Sequence, residues 1–394
     1  MSRPSETVPE HVEIAVVGGG PVGALTALRL ARAGRRVALI EARDPEAKLT
    51  DARAIALSWA SLVAFADAGV QIPYAALTAI DTVHVSQQGS WGRTVLSRDD
   101  LDLPQLGAVV DYPALAEACQ AALAAAGVAV LWRTRVTRVA TLAAFARLTL
   151  SRDGAATPLT CRLAVLADGG ELAEQLPGVT RRVHDYHQSA LLAELRTERP
   201  HGGVAYERFS ARGPLALLPH GEAFKLVWTR SPTEAEALRD EPSEQLIEQL
   251  DEALAGRFGK VLAVSGRAVF PLTLKQVNRT VSGRVALIGN AAQTMHPVAA
   301  QGLNLGVRDA LGLVEAVAAS ADPGEAGVLR RYAGLRRLDS QAVVGFTHGL
   351  VSLFDGNGAL MSLLRGAGMN LLDLLPPARR RFAGHLVFGV GTAR

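Results

Sequence analysis

Residues 12–41 read VEIAVVGGGPVGALTALRLARAGRRVALIE, and their pattern indicates the fold class. The run Val12–Val17 is rich in β-branched residues and predicts a strand. The alanine- and leucine-rich run over about Pro21–Ala33 predicts a helix that ends at Gly34. A second short strand over Arg36–Ile40 completes a βαβ unit, so the sequence predicts an α/β protein with a parallel sheet.

The glycine cluster between this strand and helix fits the pattern G-x-G-x-x-G. Gly18 would make the tight turn, Gly20 would let a pyrophosphate approach the backbone, and Gly23 would allow close packing of helix on strand. Phosphates would then lie at a helix N-terminus, where unpaired N–H groups favour anions. Glu41, at the end of the second strand, is placed to accept from a ribose 2′-hydroxyl and to repel a 2′-phosphate. We therefore expect bound FAD or NAD rather than NADP.

The segments that follow alternate in type. We expect the following elements: a helix over Ala54–Ala68, a hairpin of Ile80–Gln87 and Arg93–Ser97, a helix over Pro113–Ala126, and strands at Ala129–Leu131, Val136–Ala140, Arg147–Ser151 and Arg162–Ala167. From His184 to Phe270 short alternating strands surround one charged helix, Pro242–Leu254, which is typical of an antiparallel sheet. After Pro271 we expect a strand at Arg284–Ile288, a helix from about Pro297, and helices to the end.

This order predicts a discontinuous dinucleotide-binding domain with a second domain inserted in it. The expected divisions are a flexible tail (1–11), the binding domain (12–180 and 272–330), an antiparallel-sheet substrate domain (181–271, with the hairpin near 80–98) and a C-terminal helical region (331–394).

Composition excludes several classes of protein. The chain has 394 residues, 49% hydrophobic and 20% charged, with a net charge of only +3 and scattered arginines, so no nucleic-acid footprint is visible. Cys119 and Cys161 are too few for a disulfide scaffold, and we expect buried structural thiols. The start of the chain lacks a signal peptide or basic presequence, and the uncharged run Val285–Val307 holds three glycines and a proline, unlike a membrane span. We expect a cytoplasmic protein, soluble or peripheral on the inner face of a membrane.

A second motif distinguishes FAD from NAD. Residues 289–309 read GNAAQTMHPVAAQGLNLGVRD and resemble the second flavin-binding motif of the aromatic-hydroxylase flavoproteins, G-D-A-A-H…P…G-Q-G-x-N. Together with residues 51–57 (DARAIAL) and 206–219 (YERFSARGPLALLP), this segment resembles the FAD-dependent hydroxylases of ubiquinone biosynthesis. The resemblance runs from Val12 into the C-terminal helices.

The resemblance implies a Rossmann-like FAD-binding domain with an inserted antiparallel-sheet substrate domain, and it assigns FAD contacts. These are Arg53, Asp111, Val136, Asp168, Gly169, Gly289, Asn290, Pro297, Gly302, Leu303 and Asn304. The helix after Gly302 would point its N-terminus at the ring system, where the dipole stabilises the negative charge of reduced flavin. Arg53 would donate to the pyrophosphate, with an ordinary surface ion pair as the alternative. Asp168-Gly169 would also meet the nicotinamide nucleotide, with a plain turn as the alternative.

Three positions depart from the family pattern. Asn290 stands where most of these proteins have Asp, and Gln293 where many have His. Asp168-Gly169 continues as Gly170-Glu171-Leu172 instead of a polar residue and Ser. Flavin binding should survive the first change, since Asn keeps an acceptor, whereas the third affects the motif associated with the reductant.

The implied activity is ring hydroxylation of a polyprenylated phenol, with NADH or NADPH as transient reductant and O2 as oxidant. His296, the histidine within the flavin motif, would assist deprotonation of the phenol or make a structural hydrogen bond. The remaining eight histidines show no metal-ligand spacing, so we expect no metal.

Other functions stay open on the sequence alone. The four tryptophans form no Trp-x-Trp signature, which argues against a halogenase. A polyprenyl or quinone-type reductase, and a subunit that holds FAD as a scaffold in a lipid-quinone assembly, are alternatives. Expected partners are the lipid substrate, other ubiquinone-biosynthesis proteins and a membrane surface. The surface contact would use the apolar runs Leu350–Phe354, Leu360–Leu364 and Leu371–Leu375 with Arg379–Arg381, unless these helices simply pack on the body.

Overall fold

The computed structural model describes residues 8–49, 53–89, 91–210, 212–354 and 359–390. Residues 1–7 of the expected tail, and Asp51 and Ala52 of the quoted motif, lie outside these ranges. The helices are α1 (Pro21–Arg32), α2 (Trp59–Asp67), α3 (Tyr112–Ala125), α4 (Pro232–Asp240), α5 (Ser243–Leu254), α6 (Gln301–Val317), α7 (Ala326–Phe354), α8 (Ala359–Leu374) and α9 (Pro376–Phe388).

The strands fall into three sheets. In chain order they are β1 (His11–Val17), β2 (Val37–Ile40), β3 (Ala54–Ser58), β4 (Leu77–Ile80), β5 (Thr82–Gln87), β6 (Arg93–Ser97), β7 (Gly107–Asp111), β8 (Ala129–Leu131), β9 (Arg135–Thr141), β10 (Ala146–Arg152), β11 (Ala155–Leu166), β12 (Arg181–Thr197), β13 (Val204–Phe209), β14 (Leu215–His220), β15 (Ala223–Arg230), β16 (Val261–Val277), β17 (Val281–Ser282), β18 (Val285–Leu287) and β19 (Gln293–Thr294).

The first sheet contains the predicted βαβ unit. Its order is β17-β18-β11-β1-β2-β8, and β1 pairs in parallel with both β11 and β2. The centre of β1 is fully buried because α1, α3 and α6 cover one face and the antiparallel pair β9–β10 covers the other. A strand of a parallel sheet that is covered on both faces has a continuous run of apolar residues, as in Ile14–Val17. The expected α/β class is confirmed.

The second sheet has eight strands in the order β19-β16-β12-β15-β14-β13-β5-β6. All neighbours are antiparallel except β13 and β5, so the hairpin β5–β6 extends the sheet formed by the middle of the chain. Leucines of α4 and α5 pack on one of its faces. The sequence patterns missed α4, although its capping box between Ser231 and Glu234 is a helix signal. They also missed the 17-residue strand β16.

The third sheet, β3-β7-β4, corrects the predicted helix over Ala54–Ala68. Its first five residues form β3, in which Ile55 pairs with Val110 of β7. The helix begins only after Ser58, whose hydroxyl accepts from the N–H of Ser61 at 3.3 Å. Helix α6 likewise begins at Gln301 rather than near Pro297, because a single 3₁₀ turn comes first.

The C-terminal helices close the molecule. Helix α8 lies along the outer edge of β6, where Asp373 Oδ1 accepts from the N–H of Val95 at 2.8 Å and Asn370 Oδ1 from that of Arg93 at 3.0 Å. Helix α9 is attached beside it by the ion pair of Arg379 and Asp100, 2.8 Å. Within the described ranges, no helix is both long and apolar enough to cross a membrane.

Candidate active site

A cavity of about 900 Å³ lies between the first and second sheets. Its floor is made by the residues that follow β1, β2, β11 and β18, together with β3. Its roof is one face of β12, β15 and β16. The position agrees with the general rule that ligands of α/β proteins bind beyond the carboxyl ends of parallel strands.

The glycine loop, residues 18–23, occupies the floor. Gly18 has φ +101°, and a Cβ there would lie 2.5 Å from the carbonyl oxygen of Ala167. A Cβ on Gly23 would overlap the carbonyl oxygen of Gly18, so only glycine lets α1 approach β1 this closely. At Gly20 the nearest atom to such a Cβ is the hydroxyl of Tyr112, 3.7 Å away, which leaves the backbone open to the cavity. The three glycines thus have the geometry that their spacing predicts.

Glu41 lines the same end of the cavity and is 6% exposed. Its Oε2 accepts from the N–H of Gly19 at 2.6 Å, and its Oε1 from that of Arg43 at 2.8 Å. The Nε of Arg43 also lies 3.3 Å from Oε1. A carboxylate has about four acceptor positions, so about one remains for a ribose. Val136 of β9 lies beside it in the cavity wall.

Arg53 and Asp111 behave differently from each other. Arg53 lines the cavity, with its guanidinium 5.8 Å from the ring centre of Tyr112. Asp111 is not among the lining residues: its Oδ1 lies 3.0 Å from Nε2 of His220, and its neighbour Tyr112 faces the cavity instead. The side chain of Asp111 thus links β7 to β14, and its contact with FAD stays a prediction.

Asp168 and Gly169 line the cavity at the end of β11. Asp168 accepts from the N–H groups of Gly170, 3.2 Å, and Leu172, 2.9 Å, and so closes the turn. Gly170, one of the departures from the family pattern, leaves room for Arg181, which donates to its carbonyl oxygen. The altered sequence after Gly169 therefore forms an ordered turn.

The 289–303 turn leads from β18 into α6. Five of the predicted contact residues line the cavity here, namely Gly289, Asn290, Pro297, Gly302 and Leu303. The N–H of Gly289 donates to Asp309 Oδ2 at 3.0 Å. Gln293, the second departure, donates to the same oxygen at 2.8 Å and accepts from Ser340 at 2.9 Å. An amide can do both at once, so Gln293 serves to hold the turn.

Asn304, another predicted FAD contact, uses the hydrogen-bonding capacity of its side chain within the protein. Its Oδ1 accepts from the N–H of Ser58 at 2.9 Å and the hydroxyl of Ser61 at 2.8 Å. Its Nδ2 donates to the carbonyl oxygens of Ala56 at 3.0 Å and Ala300 at 2.9 Å. The side chain of Asn304 therefore joins the start of α6 to β3 and α2.

His296 is 1% exposed and contributes to the cavity wall. Burial lowers its pKa to about 4, so the ring is neutral at physiological pH. Its Nδ1 accepts from the N–H of Val298 at 3.2 Å, and the proton of the neutral ring is therefore on Nε2. Nε2 has no hydrogen-bond partner within the described residues, so it is available as a donor rather than as a base.

The roof of the cavity was missed by sequence reasoning. It is formed by alternate residues of β12, β15 and β16, among them Ala190, Leu192, Val227, Ala268 and Phe270. At one end the roof carries an ion pair of Glu194 and Lys225, 2.9 Å. The alternating pattern in β12 predicts a strand. It does not predict which face of that strand lies toward the first sheet, because this depends on contacts between residues distant in sequence.

Neither cysteine takes part in the site. Cys119 and Cys161 are buried free thiols, and burial raises the pKa of each to about 12. The described part of the chain holds no group of three or more His, Cys, Asp or Glu side chains suited to a metal.

These residues fit a flavin dinucleotide. The glycine loop and the start of α6 both present unpaired helix N–H groups to the cavity, which suits anionic groups, and the open backbone at Gly20 leaves space for phosphates. Glu41 supplies an acceptor beside the glycine loop.

Comparisons with known proteins agree with this fit. The family model described as FAD binding domain matches residues 11–347. Ubiquinone hydroxylase UbiL of Rhodospirillum rubrum is 33% identical over 403 residues, covering 95% of this chain and 89% of that protein. The 3-demethoxyubiquinol 3-hydroxylase of Escherichia coli is 30% identical over 362 residues, covering 84% and 87%. The p-nitrophenol 4-monooxygenase of Pseudomonas putida shares the fold, with a TM-score of 0.78 at 18% identity over 97% of this chain and 100% of that one.

Fold and site together define an FAD-dependent monooxygenase. Within that class, the chain belongs to the family of ubiquinone-biosynthesis FAD hydroxylases.

Proposed function

We propose that this enzyme hydroxylates the ring of a polyprenylated phenol in ubiquinone biosynthesis, using NADH or NADPH and O2. The observation that carries the proposal is the apolar roof directly above the groove that fits FAD. Burying a methylene group there is worth about 0.8 kcal/mol, so a prenyl tail along the roof would contribute strongly to binding. The relatives named ubiquinone hydroxylase UbiL and 3-demethoxyubiquinol 3-hydroxylase support the same substrate class.

When bound, FAD would supply electron transfer from the nicotinamide nucleotide and activation of O2. The chain would hold it along the floor of the cavity. We assign this role to Gly18, Gly20, Gly23, Glu41, Arg53, Val136, Asp168, Gly169, Gly289, Asn290, Pro297, Gly302 and Leu303.

His296 would orient a ligand through its Nε2 proton. The lowered pKa and the hydrogen bond from Val298 to Nδ1 make this side chain a neutral donor. Its Nε2 proton would be donated to an oxygen of the substrate or to a carbonyl oxygen of the flavin. A protonated Nε2 cannot accept a proton from the phenol, so His296 would not act as a general base. The apolar roof would exclude water from the reacting ring.

The decisive experiment uses purified, FAD-loaded protein with a short-tailed 2-prenyl-6-methoxyphenol. We expect O2 uptake that depends on both the phenol and NAD(P)H, and a product heavier by one oxygen atom in mass spectrometry. NAD(P)H oxidation with no O2 uptake would favour a reductase, and the absence of turnover would favour a scaffold. Either result would overturn the proposal.

A roof variant tests where the tail lies. Leu192→Asn should raise KM for the prenylated phenol about tenfold, because part of the apolar surface is lost. The untailed 2-methoxyphenol is the control within the same variant, and its KM should not change. Equal effects on both substrates would place the tail elsewhere.

We also propose a peripheral contact with a lipid surface. Leu371 and Leu374, in the last turn of α8, and Leu375, just after it, are 59%, 76% and 46% exposed. The neighbouring basic run contributes less than its sequence suggests, because Arg379 is paired with Asp100 and Arg380 with Asp102. Runs Leu350–Phe354 and Leu360–Leu364 have most of their side chains outside the described ones.

Co-sedimentation with anionic vesicles separates the two contributions. Serine at Leu371, Leu374 and Leu375 should reduce pelleting more than alanine at Arg379, Arg380 and Arg381 does. Serine at Leu335 and Leu338, which are 43% and 68% exposed on α7, is the matched control. Unchanged pelleting of both the leucine and the arginine variants would refute a membrane contact through this region.

A further inference from the structure

A buried cluster of four charged residues connects the 289–303 turn to the C-terminal helix. It consists of Arg308 and Asp309 on α6 and Arg336 and Asp339 on α7, which are 9%, 2%, 7% and 2% exposed. Arg308 Nε lies 2.8 Å from Asp339 Oδ2, and Arg336 Nε 2.8 Å from Asp309 Oδ1. Arg336 Nη2 also lies 2.8 Å from Asp339 Oδ2, so the four side chains form one unit.

One side of this cluster holds the turn. The second oxygen of Asp309 accepts from the backbone of Gly289 at 3.0 Å and from the amide of Gln293 at 2.8 Å. A movement of Asp309 would therefore shift the backbone at Gly289, which lines the cavity.

The other side holds the segment that follows α9. Asp339 Oδ1 accepts from the N–H of Val390 at 2.8 Å. Gly389 has φ +91° and is pressed against the cluster, because a Cβ there would lie 2.7 Å from Arg308 Cδ and 2.9 Å from Asp339 Oδ1. A second contact joins the two regions directly, since Gln301 Nε2 donates to the carbonyl oxygen of Leu386 at 3.3 Å.

We propose that docking of α9 and binding of FAD stabilise each other, with this cluster and Gln301 as the connection. The inference rests on the proposed role of Gly289 and Gly302 in holding FAD. Asp339 pairs with both Arg308 and Arg336, so a shift of Asp339 on loss of the Val390 contact would displace both arginines and, through Arg336, Asp309. Coupling of this kind is reciprocal: if docked α9 raises the affinity for FAD, then FAD tightens the docking by the same factor.

Two glycines near the end of the chain provide a matched test. Gly389→Ala would force the segment off the cluster without altering any of the four charged residues. Gly384→Ala is the control on the same helix, because the nearest atom to its Cβ would be Leu101 Cδ2 at 3.9 Å. Affinity for FAD is measured by quenching of flavin fluorescence, and docking of α9 by hydrogen exchange of residues 376–390 with and without FAD.

We expect Gly389→Ala to weaken FAD binding about fivefold or more, which is the lower end of typical coupling between sites. In the unaltered protein FAD should slow exchange in α9, and in Gly389→Ala this protection should shrink. Gly384→Ala should match the unaltered protein in both measurements. A merely structural role would lower the stability of the FAD-free protein but leave the affinity and the FAD-dependent protection unchanged, and that result would overturn the proposal.

Other outcomes are also decisive. If Gly389→Ala does not fold, Val390→Pro removes the N–H donor to Asp339 and is subject to the same two measurements. Neither measurement needs turnover, so protein that binds FAD but hydroxylates no phenol would refute the proposed function and not the coupling. FAD binding that leaves residues 289–293 unprotected would refute the coupling together with the proposed cofactor role of this turn.

Discussion

The glycine loop (residues 18–23) and the 289–303 turn both line the floor of the cavity, yet they are held in different ways. The loop is fixed by its own backbone. Gly18 lets it lie against Ala167, which follows β11, and Gly23 lets the start of α1 lie against the carbonyl oxygen of Gly18. The turn is fixed by side chains that lie far along the chain, above all Asp309 and its partner Arg336. Two halves of one binding site can therefore depend on different kinds of interaction, one local and one long-range.

Breaking the long-range support should have the largest effect. Asp309→Asn leaves two buried arginines, Arg308 and Arg336, with Asp339 as the one carboxylate of the cluster, and it should lower the free energy of unfolding by about 3–5 kcal/mol. Chemical denaturation of the FAD-free protein measures this. Glu315→Gln breaks an exposed pair with Arg331 at 3.4 Å and should cost about 1 kcal/mol or less. Equal losses in the two variants would show that the buried cluster does not support the turn.

Acidification should also act on the turn more than on the loop. His296 has a folded pKa of about 4 against an ordinary value of 6.5, so the unfolded chain binds more protons between these values. Stability is therefore full above pH 6.5 and falls as the pH drops toward 4, by about 3 kcal/mol for this group.

His296→Gln should flatten this pH dependence of the unfolding free energy. It should not abolish it, because burial and the charge of Arg257 lower the pKa of His84 to about 4 as well. His187→Gln is the control, since that side chain is 88% exposed. A slope identical to that of the unaltered protein would contradict the burial of a neutral His296.

Two loop glycines should separate folding from binding. Gly23→Ala forces α1 away from the loop and should cost about 1–3 kcal/mol of stability. Gly20→Ala meets no close atom, so the FAD-free protein should stay as stable as before, while FAD binds about tenfold or more weakly because the pyrophosphate can no longer approach. Melting curves and FAD titration test this contrast. Normal FAD affinity in Gly20→Ala would remove the loop from the proposed site.

The same contrast explains what the sequence could predict. The roles of Gly18 and Gly23 follow from spacing within six residues, and the cavity position of Glu41 follows from the length of one βαβ unit. For the 289–303 turn, the sequence motif identified the residues but did not always predict what their side chains contact. Asn304 belongs to the recognised motif, yet its partners Ser58 and Ser61 lie in a segment whose first part was taken for a helix.

Long-range pairing also determines features that the sequence alone does not reveal. Residues Ala54–Ser58 become a strand because β7 is available to pair with them, and nothing in their own composition requires it. Asp111 turns to His220 because β14 lies beside β7 in space. Sequence patterns indicate the type of an element and its apolar face. The strand at Ala54–Ser58 and the contact of Asp111 with His220 depend instead on which elements pack together in the folded protein.

The position of α8 on β6 has a consequence for the behaviour of the protein in concentrated solution. An open strand at the edge of a sheet offers unpaired N–H and carbonyl groups to any other chain and so promotes aggregation. Here the carboxylate of Asp373 and the amide oxygen of Asn370 occupy two of those N–H groups, and the hydroxyl of Thr94 donates to the carbonyl oxygen of Met369. The helix takes the place of a ninth strand beside the eight-stranded sheet, so this edge gives neighbouring molecules no template for fibril growth.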